Sequence, residues 1–170
     1  TKNDRMDGMC YAVEIKIYYN TINRIMPILH FRITKPNETI NITRPLHSQD
    51  FTFRRAVVVK HDNTDMTNNF KGGITVQCSF LQGDEFVSNI NTNQVMVPFD
   101  FANTVNDVRF EFPLASEDIR SAFNVEVFNY DRSHPVVFVP ATGTPPAGAI
   151  KFIDMYFSFT SLQQSSNLYA

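Results

Sequence analysis

The feature that most constrains the fold of this chain is an alternation of apolar and polar residues with a period of two. Residues 11–19 read YAVEIKIYY, in which every second position from Val13 to Tyr19 is apolar or aromatic. Successive side chains of a β-strand point to opposite faces of its sheet, so this pattern is typical of a half-buried strand. The pattern recurs most clearly in segments 29–33, 74–80, 108–112, 123–127 and 153–159.

Turn-forming residues separate these segments. Asn68-Asn69, Gly72-Gly73 and the loop at 142–148 (TGTPPAG) favour turns or left-handed backbone. We therefore predict an all-β chain with about 8–10 strands, arranged as a two-sheet antiparallel β-sandwich of jelly-roll or Greek-key type. No composition shift marks a boundary, so residues 1–170 are predicted to form a single domain. An up-and-down barrel is the second choice of architecture.

One short helix is predicted near residues 116–122. Ser116 is a good N-cap residue, and Glu117 and Asp118 follow it in the first turn, where the helix dipole favours negative charge. The helix would be one or two turns long and would lie between two strands.

Two segments depart from simple alternation. Pro98 lies inside the alternating segment 95–101, and because proline cannot donate to a strand ladder, this segment is predicted to be an edge strand or to carry a bulge. In the segment 150–159, Ile150 and Phe152 are out of phase with the apolar residues that follow. A β-bulge near Phe152-Ile153 would bring the two halves into register.

Phenylalanine supplies much of the predicted core. The chain has 16 Phe and no Trp, and most of the Phe residues in the alternating segments fall at inward positions. Aromatic rings of this size fill the gap of about 10 Å between two packed sheets. We predict these core residues: Phe110, Phe112, Val125, Val127 and Phe157.

Motifs for catalysis and cofactor binding are missing from the sequence. It contains no G-x-S-x-G, P-loop or G-x-G-x-x-G pattern, and none of its four His residues has the local spacing of a metal-ligand pair. No catalytic residue, metal site or cofactor is predicted, and the chain is not expected to be an enzyme. An enzyme whose site is assembled from distant loops is the remaining catalytic hypothesis.

Charge and hydropathy argue against two further classes of partner. Charged residues make up 19% of the chain and the net charge is −2, with no cluster of basic residues, so nucleic acid is not a predicted partner. No apolar run approaches the ~20 residues of a membrane-spanning helix, so membrane insertion is not predicted.

Cys10 and Cys78 lie in apolar alternating segments and are the two cysteines of the chain. We interpret them as buried thiols that act as small hydrophobic residues. A disulfide between them is the alternative interpretation.

Two sets of residues are candidate recognition sites. The segment Asn129-Tyr130-Asp131-Arg132 lies at the end of a predicted strand and is the best patch for a lectin-like carbohydrate-binding module. Its candidate binding residues are Asn129, Tyr130 and Asp131, which combine an aromatic ring with amide and carboxylate groups. The apolar run that contains Val136, Val137 and Phe138 lies between two prolines. It is predicted to be an exposed edge that a subunit contact covers.

We therefore expect a non-enzymatic structural protein that acts through contacts between subunits and through exposed loops. Jelly-roll domains of this size are common in viral coats, so a virion component such as a spike, vertex, minor capsid or attachment subunit is the favoured hypothesis. The predicted partners are copies of the chain or other subunits of an assembly, together with a glycan or cell-surface receptor. The alternative is the lectin-like module.

Overall fold

Nine strands account for nearly all of the regular structure in the described part of the chain. The computed structural model describes residues 14–19, 25–46, 50–64, 70, 72–81, 94–100, 102–116 and 118–159. The strands are β1 (Glu14–Tyr19), β2 (Ile25–Ile33), β3 (Asn37–Asn41), β4 (Asp50–Lys60), β5 (Gly73–Cys78), β6 (Gln94–Pro98), β7 (Val105–Ala115), β8 (Ala122–Asn129) and β9 (Ile150–Phe159). The all-β prediction is confirmed, because these residues contain almost no helix.

The strands form two antiparallel sheets. One sheet has five strands in the order β1-β2-β9-β4-β7, and the other has four in the order β3-β8-β5-β6. Four of the pairings are nested along the chain: β2 with β9, β3 with β8, β4 with β7, and β5 with β6. Successive nested pairs lie in alternate sheets, so from β2 to β9 the chain crosses from one sheet to the other after every strand except β5, which is followed by its own partner β6.

Aromatic rings from the two sheets meet in one shared core. The Phe31 ring of β2 lies 5.0 Å from the Phe123 ring of β8. Phe80, which follows β5, contacts both Phe51 of β4 and Phe157 of β9, at ring-centroid distances of 5.2 and 6.0 Å. Edge-to-face and offset ring pairs of this kind add to the free energy gained by burying the rings. The predicted core residues Val125, Val127 and Phe157 are fully buried here, which confirms them.

Two irregularities that the sequence indicated have structural counterparts. β6 lies at the end of the four-stranded sheet and Pro98 is its last residue, so the edge-strand prediction is confirmed. In β9, Ile150 pairs with Lys60 and Phe152 pairs with Val59, which leaves Lys151 as an extra residue. The bulge therefore lies at Lys151, just before the predicted position, and it lets both Ile150 and Ile153 be buried.

The predicted helix at 116–122 is wrong. Ser116 forms an isolated bridge with Leu81, and Ile119 forms one with Leu46 through reciprocal backbone hydrogen bonds of 2.7 and 2.8 Å. β8 then begins at Ala122. Burial of Ile119 in the core and its pairing with Leu46 override a local capping signal that was worth only about 1 kcal/mol.

The prediction that Phe112 is a core residue is also wrong. Phe112 is 44% exposed. It pairs with the buried Phe53 and so lies on the core-facing side of the sheet, yet β7 is the last strand of that sheet. Phe110, two residues earlier, is partly buried with its ring 4.6 Å from the Phe53 ring. The alternation therefore predicted correctly that Phe112 lies on the core-facing side. It could not show that β7 is the edge strand of the sheet, where this side is less covered.

Cys78 is a free thiol buried in the core, as interpreted from the sequence. Burial raises the pKa of this thiol far above its ordinary value, because the thiolate would be desolvated. Cys10 lies outside the described residues.

Candidate functional site

The turn after β8 holds the predicted recognition residues Asn129, Tyr130 and Asp131. Asn129 is fully buried, and its side chain donates to Ser133 Oγ at 2.8 Å and accepts from the His134 backbone N–H at 3.2 Å. Asp131 is exposed and accepts the Ser133 backbone N–H, an arrangement typical of an Asx-turn. Asn129 therefore shapes the turn from inside and cannot contact a ligand in this conformation.

Backbone contacts also fix Tyr130, which is only partly exposed. Its carbonyl accepts from Thr75 Oγ1 at 3.0 Å, and its N–H donates to the Phe70 carbonyl at 3.1 Å. Of the three residues predicted for recognition, the structure thus leaves Tyr130 and Asp131 accessible, beside each other on one turn. Their role in binding stays a prediction.

Arg132, the last residue of the predicted patch, holds this turn against the neighbouring strands. It adopts a left-handed conformation with φ of 63°, which a side-chain-bearing residue adopts only at a cost. Its guanidinium donates to Gln94 Oε1 at 2.9 Å and to Gln77 Oε1 at 2.6 Å. These two bonds tie the turn to β6 and β5 and offset the backbone strain.

The predicted interface residues lie in a segment that joins the two sheets. Val136 and Phe138 are buried within the chain, so the prediction that they form an exposed edge is wrong. The Val136 N–H donates to the Val127 carbonyl of β8, and the Val137 carbonyl accepts from Ile150 of β9. These hydrogen bonds tie the segment to both sheets within the chain. Val137 is partly exposed, and its role in a contact stays a prediction.

The outer face of the five-stranded sheet carries a row of charged residues that sequence reasoning missed. We call this the polar face, and its residues are His30, Arg32, Arg54, Arg55, Asp107, Arg109, Glu111, Asp154 and Tyr156. The residues come from four strands, and most occupy outward positions of the alternation. The neighbours Arg54 and Arg55 both lie on this face because the register of β4 shifts between Phe53 and Arg55. The sequence shows which residues point outward. It does not show which strands are neighbours, so the row could not be assembled from it.

Asp154 is the centre of the first cluster on the polar face. Arg32 donates to both of its carboxylate oxygens at 2.9 Å, and His30 Nε2 lies 3.3 Å from Oδ1 without a well-formed hydrogen bond. Burial opposes ionisation of Asp154, but contacts with His30 and Arg32 outweigh it and lower its pKa to about 2. The carboxylate is therefore charged and neutralised within the chain.

Tyr156 links this cluster to the next one. The His30 ring stacks on the Tyr156 ring with a centroid distance of 4.3 Å and an interplanar angle of 2°. On the other side, the Arg55 guanidinium lies 5.3 Å from the Tyr156 ring centroid, within the range of a cation–π contact. The register brings these three residues together, because His30 pairs with Tyr156 and Tyr156 pairs with Arg55.

Asp107 is the centre of the second cluster. Arg55 donates to both of its oxygens at 2.8 and 2.9 Å, and Arg109 approaches the same oxygens at 3.2 and 3.3 Å. These hydrogen bonds lower the pKa of Asp107 to about 2 and raise that of Arg55. Arg54 completes the face with a hydrogen bond to Ser158 and an ion pair with Glu111.

The polar face thus contains four arginines and three carboxylates that are already paired with each other. Such a face keeps little uncompensated charge, and paired groups lose less hydration when another surface covers them. In the part of the chain that the structure describes, no group of His, Cys, Asp and Glu could hold a metal ion.

The edge strands carry the exposed large apolar residues of the described structure. Val105 and Phe112 of β7 are 57% and 44% exposed, and Met96 of β6 is 41% exposed. β7 is eleven residues long and, among the described residues, pairs with β4 on one side only. An unpaired strand edge with apolar side chains is a template for pairing with another chain.

Comparisons of this chain with protein-family models, curated protein sequences and solved structures found no match. The described residues contain no helix long and apolar enough to span a membrane.

Proposed function

We propose that this chain is a non-enzymatic structural protein that assembles through contacts between its own subunits. The observation that carries the proposal is β7, a long strand at the end of the five-stranded sheet with two exposed apolar residues, Val105 and Phe112. Natural proteins protect such edges with short strands, charged side chains, proline, bulges, inward charges or covering segments. β7 carries charges and Pro113, but Val105 and Phe112 remain exposed beside them. β7 is long and, among the described residues, uncovered, so a subunit contact is the simplest account of it.

We further propose that the two sheets form a sandwich of jelly-roll type. The nested pairs support this: β2·β9, β3·β8, β4·β7 and β5·β6 describe a long antiparallel ribbon whose successive pairs fall in alternate sheets. Rolling such a ribbon so that its two sheets bury a common face produces two Greek keys. β1 then extends the five-stranded sheet at one end.

A virion component is the assembly role that we favour, such as a spike, vertex, minor capsid or attachment subunit. The support for this step is the fold-level analogy with viral jelly-roll domains, together with the neutralised polar face and the apolar edge. Specific, stable contacts of this kind bury about 800 Å² on each partner.

The assembly proposal is tested with the complete chain in solution. Sedimentation velocity from low micromolar to about millimolar concentration should show a discrete oligomer that grows in population with concentration, as mass action requires. Negative-stain electron microscopy of the concentrated sample should show closed particles or rings, because closed symmetry protects every edge. A chain that sediments as a monomer throughout this range contradicts the proposal.

A further inference from the structure

We propose that β7 pairs antiparallel with β7 of a second copy of this chain, about a two-fold axis that passes beside Phe110. This inference rests on the proposed assembly function and names the contact through which assembly begins. The pairing would join two five-stranded sheets into one continuous sheet, with Arg109 of each copy opposite Glu111 of the other. It follows from the charges and apolar residues that line β7.

The charged side chains of β7 lie on one face of the strand. Asp107, Arg109 and Glu111 occupy alternate positions on the polar face. Arg109 and Glu111 have the more exposed side chains, at 67% and 76%, whereas Asp107 is held at half that exposure by its two bonds from Arg55. Each of the two is also paired within the chain, Arg109 with Asp107 and Glu111 with Arg54, but they are the charged groups of β7 most exposed to a second chain.

Charge complementarity favours two of the two-fold registers of β7 with itself. An axis beside Arg109 would place two arginines opposite each other and Asp107 opposite Glu111. An axis beside Asp107 or Glu111 would place that carboxylate opposite its own copy. Like charges directly opposite on neighbouring strands are destabilising. Axes at other positions oppose no like charges, but only those centred on Val108 and on Phe110 create ion pairs, two in each case by symmetry.

The apolar side of β7 favours the register centred on Phe110. Val108, Phe110 and Phe112 alternate on the core-facing side, where Val108 and Phe110 are only partly buried. With the axis at Phe110, Phe112 of each copy lies opposite Val108 of the other, and the two Phe110 rings are neighbours. With the axis at Val108, Phe112 lies opposite the polar Thr104. Of the two registers that create ion pairs, only the one centred on Phe110 covers the exposed Phe112 ring with apolar side chains.

Pro113 limits the length of this pairing. With the axis at Phe110, Pro113 lies opposite Asp107 of the second copy, at the end of the paired segment. Proline has no N–H and cannot donate to a strand ladder, so pairing ends there at little cost. The paired segment is therefore 107–113, within the bounds of β7.

A charge-reversal cycle tests the register with the full chain. R109E and E111R each place like charges opposite in the proposed dimer, and each should weaken dimerisation about tenfold. The double variant R109E/E111R restores two opposite-charge pairs and should dimerise within about threefold of the wild type. Sedimentation equilibrium gives the dimer dissociation constants, and circular dichroism verifies that each variant is folded.

The alternative register predicts a different result from the same variants. With the axis at Val108, Arg109 faces Asp107, so E111R would be neutral and the double variant would stay impaired. That outcome, or no effect from any of the three variants, overturns the inference. F112S should also weaken dimerisation, whereas M96S, its matched control on β6, should not.

The oligomeric state of the wild-type chain distinguishes failure of the β7 pairing from failure of the proposed assembly function. If the wild-type chain assembles but none of the β7 variants changes its assembly, the edge pairing is wrong and the assembly function stands. If the wild-type chain is a monomer at every concentration, both are wrong.

Discussion

Phe112 and Phe157 occupy equivalent positions in alternating segments, yet their surroundings differ. Phe157 lies in β9, which has neighbours on both sides, and its ring is enclosed by Phe31, Phe51 and Phe53. Phe112 lies in the last strand of the same sheet and remains 44% exposed. The apolar area that a ring removes from water, rather than its place in the alternation, sets its contribution to stability.

Alanine substitutions at these two positions should therefore differ sharply. Phe157→Ala is expected to lower the free energy of unfolding by about 3–5 kcal/mol, as for other buried aromatic truncations. Phe112→Ala should cost about 1 kcal/mol or less in the monomer, because part of its ring already contacts water. Urea unfolding at a concentration where the chain is monomeric measures both values. Equal losses at the two positions would contradict the assigned environments.

The carboxylates of the polar face make stability depend on pH. The pKa values of Asp107 and Asp154 in the folded chain are about 2, below the value of about 3.9 expected in an unfolded chain. A group whose folded pKa is depressed contributes stability that is present above the unfolded pKa and is lost as the pH falls toward the folded pKa.

The free energy of unfolding of the wild type should therefore fall as the pH decreases from about 4 to about 2. Asp107→Asn removes one of the carboxylates whose pKa is lowered in the folded chain, so its unfolding free energy should fall less over the same interval. Urea titrations at several pH values within the interval provide the comparison. An identical pH dependence in the variant and the wild type would show that Asp107 does not contribute.

At the scale of elements, β5 and β6 approach each other closely at Gly73. A Cβ atom at this position would lie 2.2 Å from the Val97 carbonyl oxygen and 2.8 Å from Pro98 Cα, both of them backbone atoms. These atoms cannot move aside without separating the two strands. Glycine at this position is thus required by packing, whereas Gly143 has φ of 95° and open space around it.

Gly73→Ala should consequently destabilise the chain by more than Gly143→Ala. The Gly143 variant is expected to lose about 1 kcal/mol from left-handed backbone strain alone. The Gly73 variant should lose about 2–3 kcal/mol or more, because overpacking against fixed backbone adds to the loss of β5–β6 pairing. Thermal and urea unfolding of the two variants measure the difference. A smaller loss at Gly73 would contradict this packing.

The segment 135–139 offers another comparison between neighbouring residues. Val136 is buried and Val137 is partly exposed, so a charged substitution should be strongly destabilising only at Val136. Val136→Lys should prevent stable folding, because an unpaired ammonium group in the core is strongly destabilising. Val137→Lys should fold with near wild-type circular dichroism and a similar melting temperature. The reverse order of tolerance would show that the two faces of this segment are misassigned.

Local sequence patterns predicted the strands correctly where the apolar alternation matches the observed burial. They failed where pairing between residues distant in the sequence determines the local conformation. The alternation in 123–127 and 153–159 corresponds to β8 and β9, and Pro98 marked an edge strand correctly. The capping signal at Ser116 failed because Ile119 pairs with Leu46 across a large sequence distance. Likewise, the prolines around 136–139 suggested exposure, whereas contacts with β8 and β9 bury half of that segment.

At the scale of the whole molecule, the sequence indicates strands and faces but does not give their order in the sheets. The polar face exists because the register aligns His30, Tyr156 and Arg55 across three strands that are far apart in the chain. The turn residues Asn129 and Asp131 were found from composition, but the buried amide of Asn129 depends on the path of residues 133–134. Neither arrangement has a local signature.

Hydrogen–deuterium exchange at two protein concentrations tests the central claim, self-assembly through β7, most directly. Backbone amides that pair with a second chain exchange more slowly, so the protection of the segment 107–112 should rise when the protein is concentrated. The segment 94–98 of β6, which is also an edge with an exposed apolar residue, serves as the internal control and should not change. Concentration-independent exchange in 107–112 while the chain forms oligomers would contradict the claim that β7 is the assembly contact.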